Sequence, residues 1–213
     1  RNMFNNGNNC KDQCIKCRPF AYIRQKLSHS VNAVVGISRF ILDRHVSHGY
    51  FDGVDRQAVI HNPSLLVDSK IEEIESDHKK SRHNSSGDSL RVGFLGQLSP
   101  LKGIEQLLQV VGDIPDRVAE LLVGGTGKEE YVRTLKNTYQ SDSVQFLGFV
   151  DPNKFFSSID VLVVPSRWHE PFGRVVVEAY AFGVPVIASR RGGLPEIVVE
   201  EETGLLFEPN DSR

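Results

Sequence analysis

From Leu90 onward, apolar residues come as short runs, LRVGFL at 90–95 and further runs over 118–123, 144–147, 160–164 and 184–188. They alternate with stretches of helical period over 102–112, 128–140, 152–158 and 174–182. Continuous Val-, Leu-, Ile- and Phe-rich runs are what strands need when helices cover both faces of a parallel sheet. The predicted class is therefore α/β, a doubly wound parallel sheet. Upstream, residues 20–29 read as a helix and Val31–Ile37 as a short buried strand. Ser38 stands at the N-cap position of a helix that carries Phe40, Ile41 and Val46 and ends near Gly49. A second short strand runs from Ala58 to Ile60 into Asn62-Pro63.

Between these parts the pattern breaks down. Residues 68–89 are charged and small (DSKIEEIESDHKKSRHNSSGDS), too poor in apolar surface to hold a fixed fold. The expected division is thus 1–62, a polar linker over 63–89, and 90–213. The first residue is Arg1 rather than Met and no closing element follows Glu208-Pro209, so a piece of a longer protein is expected.

Composition adds exclusions. With 25 basic and 27 acidic residues the net charge is -2, and the basic residues are scattered, so no nucleic-acid footprint exists. No run approaches the roughly 18 apolar residues of a spanning helix, and nothing near the start resembles a signal peptide. The expected location is the cytoplasm. Cys10, Cys14 and Cys17 are either three reduced thiols in a polar segment or part of a zinc site whose fourth ligand this stretch does not supply.

Ligands of doubly wound sheets bind outside the carboxyl ends of the strands, so the strand-to-helix loops carry the chemistry. The first is Gly96-Gln97-Leu98-Ser99-Pro100-Leu101-Lys102-Gly103. Glycine lets a phosphate approach the backbone, a helix start offers free N–H groups, and Lys102 adds a mobile cation. The same residues also make an ordinary turn. Gly124-Gly125-Thr126-Gly127 is equally open: it lines a cleft or simply turns the chain. After the fourth strand comes Glu170-Pro171-Phe172-Gly173, then a helix from Arg174 that carries Glu178. Pro171 and Gly173 shape a rigid loop, setting Glu170 at the mouth of the sheet and Glu178 about one turn into the helix. Paired carboxylates suit vicinal hydroxyls of sugar or ribose, because each accepts more than one hydrogen bond. Spacing alone carries little weight, since Glu200 and Glu208 also stand eight apart. Arg190-Arg191-Gly192-Gly193-Leu194-Pro195-Glu196 adds backbone donors, another acid, and two arginines that are either cleft cations or a solubilising pair.

Taken in order, Ile37-Ser38-x-Phe40, Asn62-Pro63, Gly96-x5-Lys102-Gly103, Gly148-Phe149-Val150, Glu170-Pro171-Phe172-Gly173-x4-Glu178, Gly192-Gly193-x-Pro195-Glu196 and Gly204-Leu205-Leu206-Phe207 resemble glycosyltransferase family 4, of the group 1 glycosyltransferases. The likeness spans residues 31–208. It implies a GT-B fold of two Rossmann-like domains facing a cleft, with 90–213 an incomplete donor domain and 1–62 the last part of the acceptor domain. The implied reaction is retaining, metal-independent transfer of a sugar from a nucleoside diphosphate, with UDP- or GDP-sugar as co-substrate and no cofactor. The acceptor is undetermined: a glycan, a lipid or a small molecule. A peripheral membrane contact is left to the absent part of the acceptor domain.

Residue by residue, the resemblance gives Glu170 the donor sugar, Glu178 the ribose hydroxyls, and Lys102 with Gly96 the diphosphate, with Glu170 and Lys102 as the catalytic pair. Phe149 and Val150 lie beside the nucleobase, and the backbone N–H groups of Phe172 and Gly173 meet sugar and phosphate. Gln97, Gly125 and Arg174 complete the candidate donor contacts. Two departures count. Gln97 stands where many members carry Arg, which weakens one phosphate contact or hands it to another cation. Most of the acceptor domain is missing, so this piece alone is expected to be inactive. A pyridoxal-dependent phosphorylase of this fold would need a late lysine, and none follows Lys154. A nucleotide-sugar epimerase and a noncatalytic α/β binding or scaffold domain stay as alternatives.

Overall fold

The computed structural model describes residues 17–63, 89–114 and 119–209, with the backbone of two short antiparallel strands, β1 (Phe4–Asn5) and β2 (Asn8–Asn9). Almost all of the predicted linker, and Cys10 and Cys14, lie outside the described residues. In the upstream part, α1 (Arg18–Ser28) leads to β3 (Ala33–Gly36), α2 (Arg39–Ser47) and β4 (Arg56–Val59), and β3 and β4 pair in parallel. Ser38 caps α2 as predicted: its backbone is extended and its hydroxyl accepts from the Ile41 amide at 3.2 Å.

The larger part is a six-stranded parallel sheet of β5 (Leu90–Leu95), β6 (Ala119–Gly124), β7 (Val144–Gly148), β8 (Val161–Val164), β9 (Val186–Ser189) and β10 (Gly204–Phe207). Its helices are α3 (Ile104–Gly112), α4 (Glu129–Tyr139), α5 (Pro152–Ser157) and α6 (Arg174–Tyr180). The predicted mixed α/β class with a parallel sheet is what the structure has. One edge strand was not foreseen: Gly204–Phe207, read only as a motif, pairs with β9 over its whole length.

Two apolar layers hold the sheet. Along β6, Leu121 and Val123 point to one face and Leu122 to the other, as alternation in a strand requires. On the first face α3 buries Ile104, Leu107, Leu108 and Val111, the i, i+3, i+4, i+7 stripe of a helix lying on a sheet. Phe155 and Phe156 of α5 and Val176 and Ala179 of α6 fill the second face. Each fully buried large apolar side chain contributes about 1.5–3 kcal/mol. No helix among the described residues is long and apolar enough to cross a membrane.

Strand order is β7-β6-β5-β8-β9-β10. The chain runs outward from β5 through β6 to β7, then returns to the other side of β5 for β8. The loops after β5 and β8 therefore diverge from neighbouring strands in opposite directions, which opens a crevice at the carboxyl edge.

Candidate functional site

The loop after β5 does not enter its helix directly. Pro100–Lys102 form one 3-10 turn, and Gly103, at φ +70°, redirects the chain into α3. The predicted helix over 102–112 is therefore split at Gly103. Glycine is required twice over there, because a Cβ would meet the Pro165 carbonyl oxygen at 1.8 Å. The two crevice loops are also stitched together: the amides of Arg167 and Trp168 donate to the Leu101 carbonyl at 2.9 and 3.3 Å. Lys102 is thereby carried to the loop of Glu170.

There Lys102 Nζ donates to Glu170 Oε1 at 2.5 Å. Glu170 is buried, and Ser166 Oγ donates to the same oxygen at 2.5 Å. Ser189, at the end of β9, donates to the Ser166 carbonyl at 2.7 Å, so the carboxylate rests on a buried polar chain across two strand ends. The Trp168 ring lies under the ammonium, with its centroid 5.5 Å from Nζ. The aromatic face and the charge-assisted hydrogen bond together hold the Lys102 side chain in place. An ammonium has three donors, and the bond to Glu170 uses one.

The other strand-to-helix loops lie along the same carboxyl edge of the sheet. Gly125 packs on Gly96 so closely that a Cβ would lie 1.8 Å from the Gly96 carbonyl oxygen, and its amide donates to the Gly148 carbonyl at 2.6 Å. Gln97 is exposed. Past Gly148, Phe149 stands 89% exposed at the edge of the sheet, while Val150 folds back onto the second apolar layer. Phe172 is buried, its ring 5.1 Å from that of His61. Among the described residues the backbone N–H groups of Phe172 and Gly173 have no hydrogen-bond acceptor. Arg174 donates to Glu178 Oε1 at 2.8 Å within α6.

The structure thus joins Lys102 to Glu170 directly, packs Gly96, Gly125 and Gly148 side by side, and ties Glu178 to Arg174. The pair at Glu200 and Glu208 has a different setting, with both acids on Arg190 at 2.5 and 3.8 Å. Sequence reading missed the parts of Ser166, Ser189 and Trp168. A hydroxyl at the very end of a buried apolar strand, as at Val164-Pro165-Ser166, was the available signal.

His169 lies next to this site, its ring 5.0 Å from that of Phe40. Burial pushes its pKa below the usual imidazole value, and Arg44 and Arg191 push it further the same way. Among the described residues no group of three or more His, Cys, Asp or Glu side chains is arranged to hold a metal ion.

The parallel six-stranded sheet has counterparts among known proteins. The family model of group 1 glycosyl transferases matches residues 75–213, well over half of the chain. The chain belongs to that family. An uncharacterised 42.6 kDa protein from the cps region of Klebsiella pneumoniae is 26% identical over 195 residues, 92% of this chain and 48% of its own length. D-inositol 3-phosphate glycosyltransferase of Corynebacterium efficiens is 36% identical over 133 residues, 56% of this chain and 31% of that enzyme. Among solved structures, Anabaena HepE in complex with UDP-glucose superposes with a TM-score of 0.73 at 26% identity, covering 92% of this chain and 55% of HepE. Sucrose-phosphate synthase from Thermosynechococcus elongatus gives 0.72 at 28%, covering 91% and 49%. The chain spans about half the length of these relatives or less, and its sheet matches the C-terminal Rossmann-like domain of GT-B glycosyltransferases.

Proposed function

We propose that this chain is the donor-binding part of a family 4 glycosyltransferase, which moves a sugar from a UDP- or GDP-sugar to a glycan, lipid or small-molecule acceptor with retention and without a catalytic metal. The observation that carries the reading is the meeting of Lys102 and Glu170, from loops 68 positions apart, at the switch point of the sheet. The likeness to HepE, solved with UDP-glucose, supports a nucleoside diphosphate sugar as donor.

In this reading the free donors of Lys102 take the diphosphate and stabilise the charge that grows on it as the sugar leaves, which in a dry cleft is where preorganised donors matter most. Gly96 and Gly125 let the phosphates approach the backbone, and the amides of Phe172 and Gly173 add donors. Glu170, held by Ser166 and Lys102, accepts from a sugar hydroxyl. Glu178 accepts from the ribose. Exposed Phe149 offers a face for the base, with Val150 behind it, while Gln97 and Arg174 border the donor. Residues 90–213 make up the donor domain, and residues 1–62 belong to the acceptor side of the cleft.

Titration calorimetry of the full-length protein with UDP and GDP tests this. At least one nucleotide should bind, and Lys102→Ala should weaken it about tenfold or more, the equivalent of roughly 1.4 kcal/mol. Failure of both nucleotides to bind would remove the reading.

A further inference from the structure

Glu196 is an acid that the donor site described above does not use. It closes the 3-10 turn Leu194–Glu196, and its carboxylate reaches the start of α2, 156 and 157 positions earlier in the chain. Oε2 accepts from the Arg39 amide at 2.6 Å and Oε1 from the Phe40 amide at 2.7 Å. The first amides of a helix have no partner within it and carry partial positive charge, so a carboxylate there is held by two charge-assisted bonds and by the helix dipole. Beside it Ser38, the N-cap, donates to the Pro171 carbonyl at 2.5 Å, and His61 Nε2 stands 3.8 Å from Glu196 Oε2.

The base of this contact is fixed to the catalytic loop. The Gly193 amide donates to the Glu170 carbonyl at 2.7 Å, and at Gly192 (φ +64°) a Cβ would lie 2.0 Å from that same oxygen. The route from α2 to Lys102 thus runs through Glu196, the 192–196 turn and Glu170.

We infer that Glu196 is a positioning residue: its carboxylate clasps the N-terminus of α2, fixing the β3-α2-β4 unit over the loop of Glu170 and Phe172 so that the acceptor side of the cleft is held in register with bound donor. This rests on the glycosyltransferase reading for its catalytic consequence but not for the clasp itself.

The test uses Glu196→Ala and Glu196→Gln in the full-length protein. Glu200→Gln, an exposed acid paired with Arg190, is the control. Hydrogen exchange at the amides of Arg39 and Phe40 should speed up about tenfold or more in Glu196→Ala and less in Glu196→Gln, which keeps one accepting oxygen, with the control unchanged. For transfer, kcat should fall about tenfold while calorimetric affinity for the nucleoside diphosphate stays within about threefold, because the donor contacts lie on other residues. Unchanged exchange at Arg39 and Phe40 would overturn the clasp, and unchanged kcat would overturn its positioning role. A protein that binds no nucleotide but still shows faster exchange in Glu196→Ala would leave the clasp standing and remove the glycosyltransferase reading.

Discussion

Lys102 and Glu170 depend on each other. The buried Glu170 carboxylate has Ser166 and Lys102 as its only donors among the described residues, so truncating the lysine leaves it with one neutral partner. Losing a donor to a buried acceptor costs about 1–3 kcal/mol. Lys102→Ala should therefore lower thermal stability by several degrees as well as weaken nucleotide binding, as differential scanning calorimetry of the two proteins would show. The neighbouring His169 makes a pH prediction with a definite sign. Its folded-state pKa lies below the unfolded value near 6.5. Above that value both states hold a neutral ring and the group contributes nothing to the pH dependence. As pH falls through the window between the two values, the unfolded chain takes up a proton that the folded chain refuses, and stability is lost. Urea unfolding at pH 7.5 and 5.5 should thus show a smaller loss on acidification in His169→Gln than in the parent.

Among the elements, the turn at Gly103 carries the tightest geometric demand. Gly103→Ala has to bear both a left-handed backbone and a clash with the Pro165 carbonyl oxygen, so it should cost more than about 2 kcal/mol. Gly112→Ala is the contrast: that glycine ends α3 in open space, and alanine there should be neutral or stabilising by up to about 1 kcal/mol. Chemical denaturation of the pair measures the difference. The strands and helices of residues 90–189 were legible because a parallel sheet covered on both faces writes itself as uninterrupted apolar runs, and the α2 cap was legible because capping is local. Gly103 hid the break between the 3-10 turn and α3, since the apolar period continues straight through it. Gly204–Phe207 hid as a strand because only one neighbour pairs with it.

At the scale of the whole molecule, what no local pattern carries is adjacency. Lys102 and Glu170 were each singled out from the sequence, but their contact follows from the reversal of strand order between β5 and β8, which crossovers decide and periodicity does not. The same holds for Glu196 and α2: one residue was read as a further acid of the donor loop and the other as a capped helix, with nothing to join them. Family order of motifs supplied what spacing could not, as the eight-residue pair at Glu200 and Glu208, gathered on Arg190, makes plain. The central claim is that the Lys102–Glu170 pair handles a nucleoside diphosphate sugar. Its most direct test is consumption of a panel of nucleotide sugars by the full-length protein, followed as release of nucleoside diphosphate. At least one donor should be turned over, and Glu170→Gln should slow that turnover by roughly 10- to 100-fold, the size of one charge-assisted hydrogen bond. Turnover unaffected by Glu170→Gln, or no donor consumed at all, would contradict it.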